Sequence, residues 1–232
     1  MAPEITIFIS CYNERESIVP TLETVCMALS HSPLSWEVLV IDDRSSDDSV
    51  AMIESFTRAH PNLPVRTHFH ETNKGIGWTV FEAARLAQGR CFWYVAGDNP
   101  VPPDTCATLI SYVGKADIII PNITDFVGRS WFRECVSRLY ALLVRIVSGC
   151  PVRYYNGSSI YRREDFIAFA ERNAGFAYSA EVIVTLINRG CSYIEVPVHY
   201  HERTTGKSTA INAKNFGDVA RFFGRQLKRR FG

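Results

Sequence analysis

The chain has 232 residues, with 25 Lys and Arg against 24 Asp and Glu, 47% apolar and 21% charged. That length suits one large domain or two small ones; the composition excludes a disordered chain, and a net charge of +1 excludes nucleic-acid binding through overall basicity. The total hides a split, because Met1–Asp125 carries 8 basic and 16 acidic residues, net −8, whereas Phe126–Gly232 carries 17 basic and 8 acidic, net +9. Halves so different are expected to meet different partners.

In chain order, the apolar run Ile5–Ser10 predicts a buried strand. Glu14 to about Ser30 has apolar residues at Ile18, Leu22, Val25 and Leu29, the spacing of a helix. Trp36–Ile41 is a second strand, and Ser45-Ser46-Asp47 offers N-cap chemistry for a second helix. Val65–Phe69 is a third strand, Ile76–Gln88 a helix stopped by Gly89, and Cys91–Ala96 a fourth strand ending in the turn composition Gly97-Asp98-Asn99-Pro100. Ala116–Ile120 is a fifth. Beyond it lie an amphipathic helix over Ser130–Ser148 with Trp131, Cys135, Leu139, Leu142 and Ile146 on one stripe, and a turn and strand over Tyr154–Tyr161. A helix over Ser179–Asn188, a strand over Tyr193–Val198 ending near Pro197, and a basic amphipathic tail over Asn212–Phe231 complete the chain. The first 120 residues, alternating strand and helix, predict an α/β fold with a mostly parallel sheet covered on both faces. Such sheets bind ligands at the carboxyl ends of their strands. Polar residues cluster there: Tyr12-Asn13-Glu14, Asp42-Asp43 and Gly97-Asp98.

Seven cysteines without a C-x-x-C pair read as reduced thiols of a cytosolic protein. The N-terminus lacks the basic region of a signal peptide, and no uncharged apolar run reaches the ~18 residues of a membrane span. Asp42, Asp43 and Asp98 suit a nucleotide and metal site, because like charges at one edge need a cation or hydrogen-bond donors; Asp42 and Asp43 also suit helix capping. Gly75-Ile76-Gly77 lacks the third glycine of a dinucleotide loop, which points away from a NAD-dependent oxidoreductase. The alternating pairs His68/His70 and His199/His201 are either metal pairs or surface imidazoles. Phe126–Arg153 holds five arginines, no lysine and one acid. The tail sets six cations against Asp218, with four phenylalanines. Arginine suits bidentate phosphate recognition, and a basic face beside an apolar one suits a helix lying on a membrane.

Taken in order, CYNE, VIDDRSSDDS, NKGIG, AGDNPVPP, NGSSIYRRE, SAEVIVTLINRG and ERTTGKS resemble glycosyltransferase family 2 from about Ile5 to Ser208. Within it they are similar to the dolichyl- and polyprenyl-phosphate sugar synthases. The resemblance implies a GT-A fold over residues 1–211, a nucleotide-sugar half at 1–125, an acceptor half at 126–211, and a basic amphipathic helix at 212–232. It implies inverting transfer of a hexose from a GDP- or UDP-sugar to a lipid phosphate at the cytosolic face of a membrane, with Mg2+ or Mn2+. By matching position, Tyr12, Asn13, Glu14, Asp42, Asp43, Lys74, Gly75, Gly97 and Lys207 would bind the nucleotide sugar. Asp98 would hold the metal, with Glu181 and Arg203 joining it in catalysis. Arg129, Arg133, Ser137 and Ser208 would meet the acceptor phosphate. A membrane surface is an implied partner, as is a separate membrane subunit or a second copy; nucleic acid is not.

The sequence departs from the family pattern where Ala96 replaces the first Asp of the D-x-D metal motif and Pro100 replaces a frequent Gln. Two other readings follow. A soluble enzyme acting on a saccharide hydroxyl would need a carboxylate base, for which Glu181 is the candidate. A non-catalytic nucleotide-sugar-binding subunit would account for Ala96.

Overall fold

The computed structural model describes residues 2–98, 101–127, 131–170, 178–201 and 213–231. Four strands, β1 (Ile5–Cys11), β2 (Trp36–Asp42), β3 (Val65–Phe69) and β4 (Cys91–Ala96), lie parallel in the order β3-β2-β1-β4. The sheet continues through β6 (Ile160–Arg162), β5 (Ile118–Val127) and β7 (Tyr193–His201). Strand β6 runs antiparallel to both β4 and β5, so the sheet is mostly, not wholly, parallel. Strand alternation divides the core. Ile5, Ile7, Ile9, Val38 and Val40 face α1 (Ile18–Ser30), α2 (Ser49–Ala59) and α4 (Pro103–Ser111). Phe8, Leu39, Ile41 and Phe92 face α3 (Ile76–Leu86), α5 (Trp131–Ser148), α6 (Arg163–Ala170) and α7 (Tyr178–Asn188). Each such burial contributes about 1.5–3 kcal/mol. This explains why the central strands read as unbroken apolar runs.

Several elements differ from the sequence expectation. Helix α1 starts at Ile18, because Glu14–Ser17 forms a turn in which the Glu14 carbonyl accepts the Ser17 and Ile18 amides. Helix α2 starts at Ser49, since Ser45 is held by the Asp42 carboxylate and the Ser49 amide donates to Asp47 Oδ1 at 3.0 Å. Asp and Ser side chains here bond nearby backbone and delay the helix. The short helices α4 and α6 have no counterpart in the expected elements. Strand β7 passes through Pro197 to His201, which an edge position tolerates.

The tail helix α8 (Ala213–Phe231) buries Phe222 fully, and Phe223 meets Tyr140 of α5 edge-on, ring centroids 6.3 Å apart. Helix α5 turns Ser137, Ala141 and Val144 inward. The stripe of Trp131, Cys135, Leu139, Leu142 and Ile146 points out: Trp131 is 74% exposed and Ile146 59%, with Leu139, Leu142, Cys135, Arg138 and Arg145 also exposed. Small inward residues let α5 lie close to the core, so its large apolar residues are left for the outer side. No helix among the described residues is long and apolar enough to cross a membrane.

Candidate active site

The strand order reverses at β1: the chain steps to β2 and β3 on one side, then to β4 on the other. Loops leaving the two sides diverge there, and a crevice opens at the carboxyl ends. A cleft of about 550 Å³ occupies that position, lined by the Cys11–Glu14 loop, Asp43, Asn73, Gly75, Thr79, Tyr94 and the Ala96–Asp98 turn.

The loops after β1 and β2 are tied together. Asn13 takes a positive φ of 57°, which Asn tolerates. Its amide donates to Ser45 Oγ at 2.8 Å, and its Oδ1 accepts the Ser46 amide at 2.8 Å. The Glu14 amide donates to Ser49 Oγ at 2.9 Å. Tyr12 is exposed at the cleft. Asp42 is buried and accepts the Ser45 amide at 2.9 Å and the Ser45 hydroxyl. Asp42 thus caps its own loop and is absent from the cleft lining.

Asp43 braces the opposite wall. Its Oδ1 accepts from His70 Nδ1 at 2.7 Å and from the Lys74 amide at 2.8 Å, and its Oδ2 accepts from the Gly75 amide at 2.7 Å. Gly75 opens α3 with φ 79°, a conformation glycine adopts without strain. Lys74 turns its ammonium away from the cleft lining to Glu82, 3.1 Å from each carboxylate oxygen. Burial raises the Glu82 carboxyl, but Lys74 and His70 outweigh it and hold the group below its ordinary range.

Gly97 serves close approach. A Cβ there would lie 2.3 Å from the Ser10 carbonyl, so β4 can end against β1 only with glycine at this position. Its carbonyl accepts from Thr21 Oγ1 at 3.0 Å, which fixes the turn that presents Asp98 to the cleft. Cys11 also lines the cleft, but burial pushes its thiol up to about 12, so it offers no thiolate nucleophile near neutral pH.

Other expected residues lie elsewhere. Glu181, on the first turn of α7, is buried away from the cleft lining and is gripped by Arg225 of α8. Arg225 Nε lies 3.0 Å from Oε1 and Nη2 2.8 Å from Oε2. Ser137 is buried on the inner side of α5. Arg133 belongs to α5, but its side chain lies outside what is described; Arg129, Arg203, Lys207 and Ser208 lie outside the described residues. His199 Nε2 is 3.5 Å from Asp104 Oδ2. Ser10, Asn73, Thr79 and Tyr94 join the lining without having been singled out from sequence. Asn73 adjoins Lys74 and could have been found through that motif; Tyr94 reads as an ordinary strand residue.

The family model described as "Glycosyl transferase family 2" matches residues 6–181. Among solved structures, the chain is similar to the mannosyltransferase PcManGT from Pyrobaculum calidifontis in complex with GDP-Man and Mn2+: TM-score 0.67, 18% identity, covering 90% of this chain and 59% of that one. It is similar to S. aureus TarS 1-349 in complex with UDP-GlcNAc, with TM-score 0.67, 18% identity and coverage of 96% of this chain and 66% of that one. It is also similar to glucosyl-3-phosphoglycerate synthase from Mycobacterium tuberculosis in complex with Mn2+, UDP and glucosyl-3-phosphoglycerate: TM-score 0.63, 16% identity, covering 98% of this chain and 80% of that one. The chain therefore spans less than two thirds of the length of the first two.

Proposed function

Because the chain belongs to glycosyl transferase family 2, we propose that it transfers a hexose, with inversion, from a nucleoside diphosphate sugar to a polyprenyl or dolichyl phosphate at a membrane surface. The observation that carries the lipid acceptor is the outer side of α5, where Trp131, Leu139, Leu142 and Ile146 are exposed beside Arg138 and Arg145. An apolar face beside basic side chains suits insertion at the boundary of anionic headgroups.

In this reading residues 1–125 hold the donor and 126–211 the acceptor, with α8 packed on the acceptor half. Tyr12 stacks on the base, while Asn13, Glu14 and the Asp43-braced wall bound the base and ribose. Asp98 would hold Mg2+ or Mn2+ with the donor diphosphate and water. A single carboxylate fits such an ion, since magnesium retains several waters and Ala96 leaves room for them. When bound, the ion neutralises charge on the departing diphosphate. Arg203 and Lys207 add positive charge on the same group. The acceptor phosphate is ionised near neutral pH and attacks the anomeric carbon without a strong base. The pairing of Glu181 with Arg225, off the cleft, supports an acceptor of that kind over a hydroxyl.

The test is a transfer assay with labelled GDP- and UDP-sugars, Mn2+ or Mg2+, and polyprenyl phosphate in anionic vesicles. Label should enter the organic-extractable lipid, and Asp98→Ala should lower turnover at least ~100-fold. Transfer to soluble saccharide with none to lipid would overturn the reading.

A further inference from the structure

A second cluster of metal-binding chemistry lies behind the Asp43 wall of the cleft. His68 belongs to β3 and His70 follows its end, so the two alternate onto one side of the sheet edge, and α3 brings Glu82 across to them. One ligand atom from each of the three lies within 4.8 Å of the other two. From this convergence we propose that His68, His70 and Glu82 bind a zinc-class divalent transition metal, at a position distinct from Asp98.

Three features support it. The first is the orientation of His70. Asp43 Oδ1 lies 2.7 Å from His70 Nδ1, and a carboxylate only accepts, so Nδ1 carries a proton and Nε2 is the ring nitrogen turned toward the cluster. A carboxylate behind a histidine is how metal-ligating imidazoles are oriented and made more basic. The second is the surroundings of Nε2. The His70 side chain is fully buried, and Nε2 is 2.8 Å from Glu82 Oε2, but off the line that a hydrogen bond needs. A metal ion set between the two would be ligated by both. Glu82 already faces one cation here, with Lys74 Nζ 3.1 Å from each carboxylate oxygen. The third is access. β3 is an edge strand, and the His68 and Glu82 side chains are 42% and 24% exposed, so an ion can reach them without unfolding the sheet.

Two imidazoles and a carboxylate suit zinc, cobalt or nickel, whereas magnesium prefers all-oxygen shells. A tetrahedral zinc ion draws its ligand atoms to ~3.4 Å apart. His68 Nε2, 4.0 Å from Glu82 Oε1, closes that gap by turning its exposed side chain, and the ion takes the place of Lys74 on Glu82.

The experiment titrates the purified full chain with Co2+, without nucleotide, and follows visible d–d absorption. The expected result is one equivalent bound with the intense bands of low coordination, displaced by Zn2+ and unaffected by excess Mg2+. His68→Ala, at an exposed position, should keep the fold and weaken Co2+ binding at least tenfold, on the order of the losses seen when metal sites are perturbed. Glu82→Gln should do the same, and Asp98→Ala should leave the signal unchanged. Absence of the bands, bands that survive in His68→Ala, or bands lost in Asp98→Ala would each overturn the proposal. None of these outcomes depends on transferase activity.

Discussion

Asp43 joins two loops and a helix start through one carboxylate, which accepts from His70 Nδ1, the Lys74 amide and the Gly75 amide. In Asp43→Asn, an amide N–H faces one of those donors and leaves it unsatisfied in a buried place. The expected cost is about 2–4 kcal/mol, from lost charge-assisted bonds and an orphaned donor. Urea denaturation should show it as a lower midpoint at unchanged slope, with weaker nucleotide binding alongside; an unaltered midpoint would refute the bracing role. Buried thiols make a second residue-scale prediction. Burial pushes Cys11 and Cys106 up to about 12 and Cys26 up to about 11, from 9.0. A pKa raised in the folded state means the unfolded chain loses its proton first. The stability of these neutral thiols is therefore complete below pH 9 and falls as pH climbs from 9 to about 11–12. The slope is up to ~1.4 kcal/mol per pH unit for each thiol. Urea midpoints should drop above pH 9, less steeply in Cys106→Ala.

Helix α8 meets α7 through the ion pair of Arg225 with Glu181, beside the fully buried Phe222. Glu181 is buried and Arg225 is half exposed, so Arg225→Ala removes a bidentate guanidinium from a carboxylate with little water access. The expected loss is about 1–3 kcal/mol, below the full cost of breaking a buried pair because solvent screens the arginine side. Arg225→Ala combined with Glu181→Gln should recover part of it, which a double-mutant cycle by thermal unfolding would measure. Additive losses would show that the contact contributes nothing. The same elements show what sequence reading reaches. The buried strands β1, β2 and β4 are legible because covered parallel strands are apolar throughout. Helix α4 was missed although Pro103 stands at its first position, and α6 although Glu164 and Asp165 open it, because each is too short for periodicity to register. The polar residues at the strand ends were legible as a group. Asp42 was not separable from Asp43, since which carboxylate turns to Ser45 and which to Gly75 is decided by loops 30 residues apart. Glu82 carries no local signal at all: its meeting with His68 and His70 exists only once α3 packs on β3.

Across the whole molecule, the near-neutral total divides into −8 before Phe126 and +9 after it. The exposed apolar side of α5 belongs to the basic part, as does α8 with Arg225, Lys228 and Arg229 exposed. An anionic bilayer would attract the basic part of such a molecule and repel the acidic part, so the proposed membrane contact would turn the α5–α8 side toward the lipid. Attraction near a charged membrane is worth about 1 kcal/mol per basic residue and fades beyond a Debye length of ~10 Å at 0.1 M salt. Insertion of Trp131, Leu142 and Ile146 would add an apolar contribution that salt does not screen. Vesicle flotation separates the two. Binding to phosphatidylserine vesicles should exceed binding to phosphatidylcholine, and should fall as salt rises toward a residue set by the apolar face. Leu142→Glu with Ile146→Glu should abolish that residue while leaving the urea midpoint within ~0.5 kcal/mol, because both positions are exposed. Flotation indifferent to lipid charge, salt and these substitutions would assign the face to another partner and leave the lipid acceptor without its support.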